Sequence, residues 1–469
     1  MLITRRSVDF GSARRSISFE PLNQHGISTT LDEDSEFENE SRTERIHEKW
    51  NDPPINQWRI LASCLAYTLM GMNDASPGAL VIYIAAYYKQ PYSVISLCLL
   101  APAFGYILSA FACPLVHTYF GRWGSSVLST LLLTIGYSII CFAPSLQVLI
   151  LAYSITGLGN GVMDAAWHAY IGDLQDSNEL LGVLHGFYGA GAICSPLLAT
   201  AMVTSGIQWS YYYILLVVIG LVVTVFVGFT FLGETAEKYA LEQEYLISDE
   251  NNNKSQGTLY EAMMNKNTWL LCAFLFFYMG AEVGLSDWLI TFMIEERHGD
   301  PKKMGIVSAG FWGGITFGCA VLGFVTGKIG ENFMVSVYLI VAFASQLMFW
   351  LSPSIPVATI SVTLIGICFG PLFPTTMLAS TKVMPKRLHV IVVGFVAAFA
   401  GLGSAIFPFI NGFMAEDHGT WVLQPFILIL IFAMFCIWKF IPTFETTGMM
   451  NLVTQVNLKI RSRFQNLVS

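Results

Sequence analysis

Two aspartates inside apolar stretches are the residues of this sequence best suited to chemistry. Asp74 stands in Gly71-Met72-Asn73-Asp74, and Asp164 shares a helix face with Asn160 and His168 at spacings i, i+4 and i+8. A charge near a bilayer centre costs at least about 2.5 kcal/mol, so each ionisable residue in such a stretch is a site by default. Asp74 falls about four residues outward of the centre of its stretch and Asp164 about four inward, which at ~1.5 Å per residue puts both within roughly 6 Å of the midplane. No Lys or Arg lies deep in any apolar stretch to neutralise them. A carboxyl group held there can take up and return a proton, as proton coupling requires.

Other polar side chains fall on shared faces. His185 and Tyr188 are spaced i, i+3, and Tyr278 and Glu282 i, i+4. Asp287 and Trp288 follow nearer the outer end, where plain solvation accounts for Asp287. The expectation is that Asp74 and Asp164 carry protons, while Asn73, Asn160, His168, His185, Tyr188, Glu282 and Trp288 line a solute cavity. Amide, hydroxyl and aromatic contacts suit an uncharged sugar or polyol. Each assignment has a plainer alternative: Asp74 and Asp164 as helix bridges, His185 as a satisfied core histidine.

The elements that hold these residues are legible in composition. Hydrophobic residues make up 54% of the 469 and charged residues only 12%, with a mean hydropathy of +0.58. Soluble chains average roughly 25% charged. Spanning helices need about 20 apolar residues, and twelve spans are expected: 58–83, 93–118, 125–143, 147–172, 180–204, 209–232, 268–293, 304–326, 333–351, 357–381, 390–413 and 421–441. Trp58, Trp209 and Trp421 stand at span ends, as interfacial aromatics do. Pro371 and Pro374 must break the tenth span. The nine cysteines form no C-x-x-C pair and read as small buried hydrophobes.

With the N-terminus inside, the inner segments carry Arg122, Lys238, Lys254, Lys266, Lys328, Lys382, Lys386, Arg387, Lys439, Lys459, Arg461 and Arg463. The outer loops carry only Lys89, Arg297, Lys302 and Lys303. The positive-inside rule then makes both termini cytoplasmic, and the sequons at Asn39 and Asn253 stay unglycosylated. Residues 1–57 are charged and poor in apolar side chains, so a disordered tail is expected, with no cleaved signal peptide.

A repeat organises the rest. Shifting by 209 residues puts Gly71 on Gly280, Gly105 on Gly314, Gly121 on Gly330, Gly157 on Gly366 and Gly161 on Gly370. A shift of 212 puts Gly182 on Gly394, Gly189 on Gly401, Gly191 on Gly403 and Pro196 on Pro408. The expected fold is an all-α membrane protein of two parallel six-helix repeats: 58–232 and 268–441, joined by a cytoplasmic linker at 233–267 and followed by a tail at 442–469. In parallel repeats, two bundles rock about a site near the midplane. Small residues let the helices within each bundle approach closely.

These residues resemble the major facilitator superfamily and, within it, the fucose permease-like branch of sugar:proton symporters. Asn73-Asp74 is similar to the branch's Asn-Asp pair in span 1, and the run from Gly157 to Asp164 to its span 4 motif. Leu184-His185-Gly186-Phe187-Tyr188-Gly189 resembles fungal members of the bypass of stop codon protein 6 type, and Tyr278 to Glu282 and Phe373-Pro374-Thr375 match spans 7 and 10. Gly121-Arg122-Trp123-Gly124 is similar to a remnant of the superfamily's loop motif. The resemblance implies a role for Asp164 in solute handling and proton coupling. The sequence departs from the branch at Cys319, where many relatives carry an arginine, and at Asp164, where the sugar permeases carry the longer glutamate.

The expected function is movement of a small polar solute across a bilayer, coupled to protons, by a monomer without cofactor or nucleic-acid partner, in the plasma membrane or a vacuolar or endosomal one. A nutrient sensor without net transport and a passive uniporter remain open, and no H-e-x-x-H or metal-ligand cluster suggests an enzyme.

Overall fold

The computed structural model describes residues 48–241, 259–385 and 388–442. The expected tail through His47, both sequons, residues 242–258 of the linker and residues 443–469 lie outside the described residues. In order come α1 (Ile55–Asp74), α2 (Ser76–Tyr88), α3 (Tyr92–Ile140), α4 (Leu146–Gly172), α5 (Ser177–Thr204), α6 (Tyr212–Thr230) and α7 (Leu259–Met264). Then follow α8 (Lys266–Glu295), α9 (Pro301–Phe317), α10 (Gly323–Ile329), α11 (Glu331–Leu351), α12 (Ile355–Phe369), α13 (Leu372–Val383), α14 (His389–His418) and α15 (Leu423–Phe440). Local chemistry marks several starts. Asn265 accepts from the Asn267 amide at 3.0 Å to cap α8, and Asp300 accepts from the Lys302 amide at 3.1 Å with Pro301 at the first position of α9.

Among the described residues, ten helices are long and apolar enough to cross a membrane. The expected count was twelve, and two local features account for the difference. α3 is 49 residues long, but Gly121 inside it has φ 68° and ψ −165°. The arm before Gly121 runs parallel to α4, since a Cβ on Gly157 would strike Pro102 and one on Gly161 would strike Ser109. The arm after it runs antiparallel, with Trp167 donating to Ser126 at 3.0 Å and Gly136 against Thr156. The chain therefore reverses at Gly121, where a left-handed φ favours glycine.

The second feature lies at Ala75, between α1 and α2. Pro77 has no N–H to give the Asn73 carbonyl four residues back. The Ser76 hydroxyl donates to that carbonyl instead, at 2.8 Å. Each piece is too short or too polar to count alone. The expected break in the tenth span is also present, with α12 ending at Phe369 and α13 starting at Leu372.

Helix pairs recur between the two halves of the chain. α1 packs on α5 as α8 packs on α14, and the first arm of α3 packs on α4 as α9 packs on α12. The repeated glycines sit at these contacts. A Cβ on Gly191 would collide with the Thr68 carbonyl of α1, and one on Gly403 with the Phe276 carbonyl of α8. Gly105 with Gly157, and Gly314 with Gly366, are close approaches of the same kind. Gly182, Gly394 and Gly401 meet nothing nearby. Across the halves, α5 packs on α9, α3 on α14 and α2 on α8.

Large apolar side chains cover the outside, among them Phe229, Val222, Phe432 and Leu351. Such a surface needs an apolar surround. Trp58 and Trp421 are exposed, whereas Trp209 is buried against Tyr87, Tyr88 and Tyr213. The cysteines are all free, and Cys194 and Cys319 are exposed rather than buried. α1 begins three residues ahead of the expected span. Ahead of it, the Glu48 carboxylate accepts from Asn56 at 2.9 Å, so the end of the expected tail is ordered.

Candidate functional site

The break at Ala75 leaves Asn73 and Asp74 at the end of α1, facing α4 and α5. One Asp74 oxygen accepts from the Asn73 and Asn160 amide nitrogens, each at 2.8 Å. The other accepts from the Tyr188 hydroxyl at 3.2 Å. Three donors from three helices therefore meet this carboxylate. The amide oxygens of Asn73 and Asn160 are buried and have no partner.

One turn along α4, Asp164 receives two hydroxyls. Tyr67 of α1 donates to Oδ1 at 2.7 Å and Tyr106 of α3 to Oδ2 at 2.6 Å. His168, a further turn on, has Nδ1 2.8 Å from the Asp164 carbonyl and Nε2 3.4 Å from Nε2 of His185 on α5. Asn160, Asp164 and His168 do share a face, and that face looks onto α1 and α5. The Asp164 side chain is 25% exposed and that of His168 40%. His185 is exposed and Asp74 half-buried. The accessible surface thus runs from the histidines inward to Asp74, as a polar cleft walled by tyrosines.

Across the cleft, Tyr278 of α8 places its hydroxyl against the Glu282 carboxyl and 3.2 Å from the Phe369 carbonyl. Phe369 ends α12 at the proline break, so its carbonyl lacks its helical donor. A hydroxyl has one proton to give. An ionised Glu282 takes it, while a protonated Glu282 donates to Tyr278 and frees that proton for Phe369. Tyr188 packs edge-on to Trp312 of α9 with ring centroids 6.2 Å apart, and lies within electrostatic reach of Glu282.

Asp287 is a correction. It is 4% exposed rather than solvated at the surface, and α2 packs against it at Gly78. It lies within electrostatic reach of Asp74, and no hydrogen bond or ion pair reaches it among the described residues. The next residue, Trp288, is fully buried. Its indole donates to the Pro408 carbonyl at 3.0 Å and its ring stands perpendicular to Tyr92. Tyr67, Tyr106 and Trp312 also belong to the site and are absent from the sequence expectation. Tyr67 carried a signal, being seven residues before Asp74 on the same face; Tyr106 carried none.

The described lysines and arginines that pair with acids pair with none of these carboxylates. Glu234, 2% exposed, holds Arg59 at 2.8 Å, Lys238 at 2.7 Å and Arg122 at 3.8 Å. Arg122 also pairs with Asp173, and Lys382 with Glu331. Cys319 is the second residue of a π-helical turn, Gly318–Leu322. Among the described residues, no three His, Cys, Asp or Glu side chains converge as a metal site needs.

"Bypass of stop codon protein 6" of Saccharomyces cerevisiae (strain ATCC 204508 / S288c) is 30% identical over 424 residues, covering 83% of this chain and 84% of that protein. Two solved structures share the fold. One is a bacterial homolog to the human lysosomal transporter Spinster, inward-facing and unoccupied (TM-score 0.63, 15% identity, 83% of this chain and 95% of that one). The other is a D-xylose-proton symporter (TM-score 0.64, 14% identity, 83% and 98%). The sequence pattern of the Major Facilitator Superfamily matches residues 63–408, and this integral, multi-pass membrane protein belongs to that family.

Proposed function

We propose that the chain is a secondary active transporter that couples protons to a small polar solute, of the sugar or polyol kind, by alternating access. The observation that carries this reading is the pair of carboxylates at Asp74 and Asp164. Both lie in an accessible cleft inside an apolar protein, Asp74 is met by two amides and a hydroxyl and Asp164 by two hydroxyls, and neither has a Lys or Arg partner. Such groups persist in a membrane interior where they bind something that neutralises them. The solved D-xylose-proton symporter of the same fold lends support by analogy.

Twelve crossings follow if α1 with α2 counts as one span and the arms of α3 as two. Two six-helix repeats, 58–232 and 268–441, then form parallel bundles with both termini cytoplasmic, as the Lys/Arg bias argues. Asp74 and Asp164 carry the proton, and Asn73, Asn160, His168, His185, Tyr188 and Glu282 receive the solute. Trp288 supports them from the junction of α8 with α3. His168 and His185 extend from Asp164 toward the accessible end and give protons a route.

The test is uptake into proteoliposomes of a solute found by a thermal-shift screen of sugars, polyols and small organic acids. Asp164→Asn should abolish accumulation driven by a pH gradient while leaving solute exchange. Uphill, proton-linked uptake at the parental rate by that variant would remove Asp164 from the mechanism.

A further inference from the structure

Apart from His168 and His185 at its accessible end, the charged groups of the cleft are all acids. Asp74, Asp164 and Glu282 belong to it, Asp287 is buried under α2 within electrostatic reach of Asp74, and the ion-paired lysines and arginines are occupied elsewhere, at Glu234, Asp173 and Glu331. Acids alone do not define a ligand, since protons can neutralise them. The hydrogen-bond inventory is a separate observation. Asn73 and Asn160 are each 6% exposed, and both lack any partner for Oδ1. Their orientation is fixed, because turning either amide would set its oxygen against the Asp74 carboxylate in place of the N–H now 2.8 Å away. Both orphaned oxygens therefore lie one amide width from Asp74, and each needs a donor. Asp287, 4% exposed, makes no hydrogen bond or ion pair among the described residues.

What this part of the cleft lacks is donors and positive charge together. A sugar hydroxyl brings one donor and two acceptor lone pairs; an ammonium brings three donors, no acceptor and a charge. The tyrosine walls suit a cation as well, since aromatic faces attract one. On the other side of Tyr188, the buried Trp312 indole N–H is an unpartnered donor. It asks for an acceptor such as a hydroxyl oxygen.

We propose that the transported solute is a small hydroxylated amine, whose ammonium is received at Asp74 between Asn73 and Asn160 and whose hydroxyl end lies toward Trp312. This rests on the transporter reading and narrows its solute class from a neutral to a cationic polyol. Asp74 then distinguishes solutes by charge.

The test uses the full-length purified protein at neutral pH and three matched pairs: ethylene glycol and ethanolamine, D-glucose and D-glucosamine, D-sorbitol and N-methyl-D-glucamine. Calorimetric binding should favour the amine by about tenfold or more in at least one pair, the scale of one charge-assisted hydrogen bond. Asp74→Asn should reduce that preference to less than about twofold, and Asp287→Asn should weaken it if Asp74→Asn does not fold. Neutral members binding as well as their amines in all three pairs would overturn the proposal, as would failure of every amine to bind. Uptake of a neutral polyol driven by a pH gradient, with its amine excluded, would overturn it while leaving the transporter reading intact.

Discussion

Three donors reach Asp74, two reach Asp164, one reaches Glu282 and none reaches Asp287. These four acids differ in what can stabilise them, although all four occupy the interior. A carboxylate ringed by donors is ready to hold charge, whereas one without donors needs a proton or a ligand. Glu234 shows the opposite economy. It too is buried, but it gathers Arg59, Arg122 and Lys238 where α1, the Gly121 reversal and the end of α6 meet. The Trp123 amide also donates to its carbonyl at 2.9 Å. Glu234→Gln leaves Arg59 buried without its countercharge, and removing one partner of a buried pair costs about 3–5 kcal/mol. The expected result is a clearly lower melting temperature in detergent, measured by scanning fluorimetry. An unchanged melting temperature would show that Glu234 does not bind the three elements together.

Elements are set by where backbones can touch and where they must break. Gly191 lets α5 approach α1 so closely that a side chain would enter the Thr68 carbonyl. This contact lies three residues from Tyr188, which donates to Asp74. Gly191→Val should therefore reduce the folded yield and, in what folds, weaken solute binding by at least about tenfold. Gly182→Ala on the same helix meets nothing within 4 Å and should be neutral or stabilise by about 0.5–1 kcal/mol. Size-exclusion profiles and binding of the two variants decide this; equal behaviour would mean that the α1–α5 approach is not tight. The two breaks work in the same way. Pro77 frees the Asn73 carbonyl beside Asp74, and the Gly370-Pro371 break frees the Phe369 carbonyl beside Tyr278.

Across the whole molecule, the end bearing Tyr92 is held shut by contacts between the two halves of the chain. The Glu416 carboxylate of α14 accepts from the Tyr92 amide at 2.9 Å, at the positive end of α3. Glu295 of α8 accepts from the Tyr92 hydroxyl, and also from Thr420 at 3.1 Å. Gly412 lies against Ser96 and Trp288, where a Cβ would not fit. Described ion pairs at the opposite end join residues within one half only, as in Arg122 with Asp173 and Lys382 with Glu331. In a background without native cysteines, Tyr92→Cys with Glu416→Cys should react with a short bifunctional methanethiosulfonate and stop transport, with reduction restoring it. Full transport by the cross-linked protein would mean that this end does not open during the cycle.

The sequence by itself determined the class of molecule, most helix bounds and the repeat. Apolar length and glycine spacing are local or periodic properties, and the helix ends fell within a few residues of those expected. It also singled out Asp74, Asp164, Asn160 and His168, because an acid in an apolar run is conspicuous wherever the run folds. Which neighbours those acids have was decided only by tertiary structure. Tyr106 comes to Asp164 from 58 residues away and Asn160 to Asp74 from 86, and no spacing rule links positions on different helices. Asp287 read as a surface residue because it follows Glu282 toward a span end, yet α2 covers it. Trp288 read as cavity lining; the structure shows it fully buried with its indole donating to Pro408. Burial of either residue depends on which helix lies opposite, and helix pairing is a property of the packed whole.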